Sequence, residues 1–256
     1  MTRIVILGGS FGGLTAAFEL KRLLCKKAEV TIVSDDDRFV FLPSLPWLIM
    51  GWRKPSDITL SVPEILKPKG IQFVHEAVIN VDADSSKVRT ATKEISYDYL
   101  VISTGPYLSF DEIPGLGPDK GYTDCTFTLD HGTKTHESLE KVFESPGPVV
   151  LGSSQMVSCF GPSYELAFEI DAELRRRKMR HKVPIIYLTS EPYLGHMGVG
   201  GLGNSKRFFE DEFAVRDIKS VVSQAIEEVT PGEIKLKDGT KIPFKMAMVA
   251  PPFKGV

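Results

Sequence analysis

Only three of the 256 residues are cysteine, and Cys25, Cys125 and Cys159 lie far apart. An odd, scattered set builds no disulfide framework, so a bond between any two would be redox chemistry rather than a staple. No apolar run reaches the roughly 20 residues of a membrane-spanning helix. Net charge is small: 31 Lys+Arg against 33 Asp+Glu give −2, with no basic footprint for nucleic acid. Met1-Thr2-Arg3 runs directly into an apolar strand, which leaves no room for a secretory leader. No His/Cys cluster has metal-site spacing. These absences describe a cytoplasmic chain with length for one large or two modest folded units.

What is present begins at Ile4. Ile4-Val5-Ile6-Leu7 is a continuous apolar run, as expected of a parallel strand buried on both faces. It enters Gly8-Gly9-Ser10-Phe11-Gly12-Gly13 and then a helix whose stripe is Gly13, Ala16, Ala17, Leu20 and Leu24. Small residues let that helix sit close to the strand, and the free amides of its first turn suit a pyrophosphate. The pattern predicts a dinucleotide-binding turn made by Gly8, Ser10, Phe11, Gly12 and Gly13. It departs from the Gly-x-Gly-x-x-Gly fingerprint at the middle glycine, which is Ser10. A serine fits there if its φ is negative and its hydroxyl turns toward the phosphate.

Glu29 to Asp35 predicts the second parallel strand. Its end offers Ser34 or Asp35 to the adenosine ribose hydroxyls, and no arginine stands where a 2′-phosphate would need one. Asp36 and Asp37 read as a solvated turn. Phe39 to Trp52 is aromatic, proline-rich and nearly uncharged, so it is no single helix. It either packs in the core or walls a flat ring, with Pro43 near that ring. A short helix over 61–66, a third parallel strand over 71–74 and an antiparallel meander over 78–95 follow. Tyr97 to Pro106, YDYLVISTGP, predicts a buried central strand that delivers Ser-Thr-Gly to the carboxyl end of the sheet.

The glycine turn, the meander and YDYLVISTGP together resemble the flavoproteins with two dinucleotide-binding domains. The resemblance implies FAD, with Ala77, Thr104 and Gly105 on its side of the sheet. The expected fold is α/β with two Rossmann-like units, three-layered, with parallel sheets plus a β-meander. The expected division is 1–113 for FAD, 114–145 as a connection, and 146–256 as a second unit with a degenerate NAD(P)H site.

In that second unit Val149-Val150-Leu151-Gly152 repeats the strand-into-glycine plan, and Glu165 to Glu169 lies in a helix. Between them stands Ser153-Ser154-Gln155-Met156-Val157-Ser158-Cys159-Phe160-Gly161-Pro162, too long and bulky to cradle a pyrophosphate. The next strand, 184–190, lacks a nucleotide-selecting charge at its end. A thiol occupies the place of the nucleotide.

SCFGPSYE, SEPYLGHMGVGGLG and LPSLPWLIMGWRK resemble the sulfide:quinone oxidoreductases, and more distantly the flavoprotein subunit of flavocytochrome c sulfide dehydrogenase. The resemblance runs from Ile4 to Gly255. It implies oxidation of sulfide to polysulfide or sulfur through a cysteine disulfide or persulfide relay. HS⁻ attacks a bridge sulfur by thiol–disulfide exchange, and two electrons pass to FAD and then to a quinone. By the same resemblance Cys159 is a redox cysteine, Glu165 a nearby carboxylate, and His131 and His196 handle protons. Cys125 is offered as the second redox cysteine. It stands six residues before His131, where the family has four, and Phe127 occupies the usual place. Cys25, His75, His136 and His181 read as ordinary packing or surface residues.

Proteins of this family continue well past Val256, with a further flavin contact, the quinone pocket and membrane-binding helices. The resemblance therefore implies either a truncated or processed chain or one half of a split protein, a poor catalyst alone, peripheral to the membrane if completed; homo-oligomer formation stays open. Two alternatives remain: a non-catalytic FAD-binding or sulfur-carrying module, and an NADH:quinone reductase, which the loop around Cys159 disfavours.

Overall fold

The computed structural model describes residues 1–256. In chain order the first elements are β1 (Thr2–Leu7), α1 (Phe11–Leu24), β2 (Ala28–Ser34), β3 (Arg38–Val40), α2 (Leu45–Ile49), β4 (Thr59–Ser61), α3 (Val62–Leu66), β5 (Gln72–His75), β6 (Val78–Asp82), β7 (Lys87–Thr90), β8 (Glu94–Ser96) and β9 (Tyr99–Ile102). Then come β10 (Pro106–Leu108), α4 (Leu129–Glu144), β11 (Val149–Ser153), α5 (Gly161–Arg176), β12 (Ile185–Thr189), α6 (Ser205–Val215), β13 (Ile218–Val221), β14 (Ile226–Thr230), β15 (Glu233–Leu236), β16 (Lys241–Pro243) and β17 (Met246–Ala250).

They form two compact units, one of Met1–Phe41, Ser56–Pro106 and Gly255–Val256, the other of Leu42–Pro55 and Tyr107–Lys254. This differs from a linear division at 113 and 146. The expected connection, 114–145, carries α4 and belongs to the second unit. The Phe39–Trp52 segment is shared between the units. Its prolines do break it, into β3, a 3₁₀ turn over Leu42–Ser44, and α2.

The first unit has a four-stranded parallel sheet in the order β5-β2-β1-β9. Alternate residues serve opposite faces. Ile4, Ile6, Val30 and Ile32 pack with Leu14 and Ala17 of α1 and Val62 and Leu66 of α3. Val5, Leu7 and Val33 pack with Val88 and Tyr97 under the antiparallel meander β6-β7-β8. Both faces are covered, which is why the sequence is apolar without interruption. The expected helical stripe holds, with Leu14 added and Leu20 and Leu24 half-buried. One expectation fails: β9 is an edge strand, not a central one, and Tyr99 and Ile102 are each 65% exposed. Within this chain no strand pairs with its outer side.

The second unit repeats the plan, with parallel order β13-β12-β11-β17. Val149, Leu151, Ile185, Tyr187, Met246 and Met248 face a core shared with α4 and α5. Val150, Leu188, Ala247 and Val249 face the antiparallel sheet β14-β15-β16. Leu45, Leu48 and Ile49 of α2 are buried in this unit, each contributing about 1.5–3 kcal/mol by leaving water. Gly132 of α4 lets that contact close, since an added Cβ would already stand 3.3 Å from Leu48. No helix is long and apolar enough to cross a membrane.

Candidate functional site

Three residues, Gly8 to Ser10, separate β1 from α1. Gly8 has φ +100°, and a Cβ there would stand 2.4 Å from the carbonyl oxygen of Ser103. Gly13 is more constrained, because its Cβ would stand 1.9 Å from the Gly8 carbonyl oxygen. These are the first and third glycines of the fingerprint, needed for the turn and for helix–strand packing. Ser10 has φ −100°, as a non-glycine residue there requires, and its hydroxyl makes no capping bond. The Leu14 amide is the first in α1 to find an intrahelical acceptor, the Ser10 carbonyl at 2.9 Å. The amides of Phe11, Gly12 and Gly13 are left at the open end of the helix.

Around this cradle stand further residues of the first unit. Thr104 and Gly105 are exposed beside the turn, with Thr104 Cα 3.3 Å from where a Gly8 Cβ would lie. Sequence reasoning passed over Ser103, whose hydroxyl donates to the Leu7 carbonyl at 2.7 Å and locks the two motifs together. Ser34 is half-buried against Gly9, whereas Asp35 is exposed and its carbonyl meets His75 Nε2 at 3.0 Å. Asp36 is no idle turn residue; it binds the Arg38 backbone and guanidinium. Phe11 packs edge-on against Phe39, ring centroids 4.9 Å apart, and also meets Phe41. Ala77 lies exposed between β5 and β6.

The corresponding junction in the second unit is different. Seven residues, Ser154 to Phe160, separate β11 from α5. Gly152 has φ +151°, and a Cβ there would collide at 1.7 Å with the Leu188 carbonyl oxygen. The strand-end glycine therefore serves strand packing. Among the first-turn amides of α5, that of Gly161 lies beside the Cys159 sulfur and draws its thiol down. Pro162 has none, and that of Ser163 donates to the Phe160 carbonyl at 3.1 Å. The Ser163 hydroxyl closes back onto the Gly152 carbonyl at 2.8 Å. The junction thus offers a phosphate fewer amides than the α1 turn does, and it carries a part-exposed thiol.

Burial pushes the half-exposed Cys159 thiol above its ordinary value, and the Gly161 amide pulls against that rise. The helix N-terminus favours the thiolate in the same sense.

Past the end of β12 stands Glu191, an acidic residue the sequence reading overlooked. It is buried, 2% exposed, and turned inward. Its Oε2 accepts from the Tyr164 hydroxyl at 2.8 Å and the Thr189 hydroxyl at 2.9 Å. Its Oε1 accepts from the Met197 amide at 2.6 Å, and the Tyr164 oxygen accepts from the Gly195 amide at 2.8 Å. The charge that would select a ribose is consumed in holding the 191–197 loop, which carries His196 against Tyr193.

The remaining site residues lie apart from one another in kind. Cys125 is fully buried, and burial drives its thiol up to about 12. Its backbone is pinned at both ends by the Thr135 hydroxyl. Cys125 and Cys159 are free thiols, not a disulfide. His131, in the first turn of α4, reaches Asp119 at 3.4 Å, and its Nδ1 is buried without a partner. Pro43 is exposed in the turn before α2. Cys25 is exposed on the rim of its helix end. His136 is more than a surface residue: its Nδ1–H donates to the Ile49 carbonyl at 2.8 Å, tying α4 to α2. Glu165 lies one turn into α5, with its carboxyl pushed up by burial and drawn down by Trp47.

Residues 2–251 match the family described as pyridine nucleotide-disulphide oxidoreductase. The sulfide-quinone reductase of Aquifex aeolicus (strain VF5) is 40% identical over 257 residues, covering 98% of this chain and 59% of that protein. The mitochondrial sulfide:quinone oxidoreductase of Mus musculus is 27% identical, covering 97% of this chain and 56% of that one. The X-ray structure of the sulfide:quinone oxidoreductase from Aquifex aeolicus superposes with a TM-score of 0.95 at 39% identity, over 100% of this chain and 60% of that chain. The chain thus spans less than two thirds of the length of these relatives.

Proposed function

Because the chain belongs to the pyridine nucleotide-disulphide oxidoreductase family, we propose that its first unit binds FAD and its second unit carries sulfur rather than a pyridine nucleotide. The reaction it serves is oxidation of sulfide to polysulfide or sulfur, with electrons passed to a quinone. One contrast carries this reading. The first-turn amides of α1 are open, whereas at α5 the Gly161 amide faces the Cys159 thiol, Pro162 has none and that of Ser163 is bonded to Phe160.

The residues of the first unit fit the cofactor. Gly8 and Gly13 supply the turn, Gly12 presents a face without a side chain, and Ser10 has the φ and the free hydroxyl that a phosphate contact requires. Phe11, Ser34, Asp35, Ala77, Thr104 and Gly105 would complete the set. Bound FAD would supply the two-electron sink that sulfide oxidation needs.

The protein's own residues do the rest. Cys159, half-exposed at a helix N-terminus, is the sulfur that exchanges. When it is part of an oxidised bridge, attack by HS⁻ forms one S–S bond and breaks another, leaving a persulfide and a thiolate. Glu165 takes the proton released as H₂S or a thiol ionises, and His196 and His131 are further proton carriers. Cys125 enters only as the second sulfur, after its buried thiol becomes exposed. The quinone site and any membrane surface lie in the portion of the relatives this chain does not span.

Anaerobic mixing tests the proposal in a protein extended to the relatives' length. Sulfide bleaches the flavin band near about 450 nm, and C159S removes the bleaching. Bleaching that survives C159S unchanged refutes it.

A further inference from the structure

Glu169 follows Glu165 by one turn of α5, so the two carboxyls share a helix face. That face meets α2, and the indole of Trp47 approaches both carboxyls. Oε2 of Glu169 is buried and has no hydrogen-bond partner. A buried, ionised oxygen with neither donor nor cation is costly, and the cheaper state carries a proton.

No cation in the surroundings answers it. On the α2 side Arg53 lies over the Trp47 ring, 5.2 Å from its centroid. One turn further along α5, Glu173 is taken by Arg176 and Arg177, and Arg177 also reaches Glu140 of α4. Strands β11, β12 and β17 beneath α5 contribute one ionisable group, Tyr187, which stacks on Tyr164. Burial, with the charge of Glu165 adding to it, pushes Glu169 up to about 8.

We propose that Glu165 and Glu169 hold a single proton between them near neutral pH, Glu169 being the protonated partner and Glu165 the open base. Glu169 is thus a positioning residue. By carrying the proton itself it leaves one ionised carboxylate, and only one, on the turn that follows Cys159. When Glu165 accepts a second proton, one S–H bond breaks and one O–H bond forms. No electrons move, and release of that proton to water resets the pair. The use of Glu165 as a base rests on the sulfide reading; the shared proton does not.

The test is a pH titration of the chain followed by NMR, with glutamate carboxyls labelled with ¹³C. In the wild type one carboxyl titrates with a midpoint of about 8, far above the other glutamates. E169Q, which keeps the shape of the neutral acid, abolishes that midpoint and leaves the midpoint of Glu165 in place, because Glu169 is uncharged while Glu165 titrates. W47F, which removes the indole N–H, raises the Glu169 midpoint further. A wild type in which every glutamate titrates below about pH 6 overturns the proposal, as does an E169Q spectrum with the high midpoint still present. Either failure leaves sulfide-driven flavin bleaching untouched, and failure of the bleaching leaves the titration untouched.

Discussion

The Tyr164 hydroxyl donates to Glu191 Oε2 at 2.8 Å while accepting the Gly195 amide at the same distance. One phenol thus joins α5 to Glu191 and Gly195 of the 191–197 loop, which carries His196. Y164F strands a buried amide and removes one of the donors to a buried carboxylate. It should cost about 1–3 kcal/mol in urea unfolding, and hydrogen exchange at 195–197 should quicken. An unchanged unfolding midpoint would mean that water replaces the phenol.

Glycines at the two junctions separate by mechanism. G13A and G152A each force a Cβ to within 2 Å of a carbonyl oxygen, and G152A also requires an L-residue at φ +151°. Both should be strongly destabilised, and G13A should lose FAD binding. A Cβ at Gly161 meets nothing within 4 Å, so G161A should be neutral or gain up to about 1 kcal/mol from helix propensity. Thermal melts of the three variants decide the matter.

Thiol labelling should rank the cysteines by environment. Cys25 is exposed, Cys159 half-exposed, and Cys125 buried with its thiol raised to about 12. At pH 8 that leaves Cys125 about a thousandfold less thiolate than a free cysteine, before burial is counted. Iodoacetamide followed by mass spectrometry should modify Cys25 first, Cys159 next, and Cys125 only in denaturant. Prompt labelling of Cys125 would show that its buried site opens readily.

Two carboxyls drive stability in opposite directions with pH. Glu173, held down to about 2 by Arg176 and Arg177, stabilises the fold above the unfolded value, and this is lost as pH falls toward 2. Asp124 is raised to about 6 by burial, against the pull of the Ser138 hydroxyl. Its contribution is complete below about pH 4 and is lost as pH rises through 6. In urea titrations D124N should therefore abolish a decline in stability between about pH 4 and 6, and E173Q should reduce the loss seen below about pH 4.

Much of this was legible in the sequence, for local reasons. Ile4–Leu7 and Val149–Leu151 are apolar at every position because both faces of each sheet are covered, and Pro43 and Pro46 had to break the aromatic segment. Other features depend on partners remote in sequence. Leu100-Val101-Ile102 reads as buried whether its strand is central or at an edge. Glu191 lies one residue past the strand whose end was read as uncharged; Tyr164, 27 residues earlier, is among the donors that hold its carboxylate inward. Trp47 reads as core, yet its indole faces two carboxyls. The loop length before α5 marked the junction as unfit for pyrophosphate, but the fate of each amide required coordinates.

The most direct measurement is calorimetric titration of the chain with FAD and with NADH under the same conditions. The account predicts saturable binding of FAD, weakened by a bulky side chain at Gly12, and no saturable binding of NADH. Saturable NADH binding that is lost when the α5 N-terminus is altered would contradict it, because the amides assigned here to Cys159 and Phe160 would then be serving a phosphate.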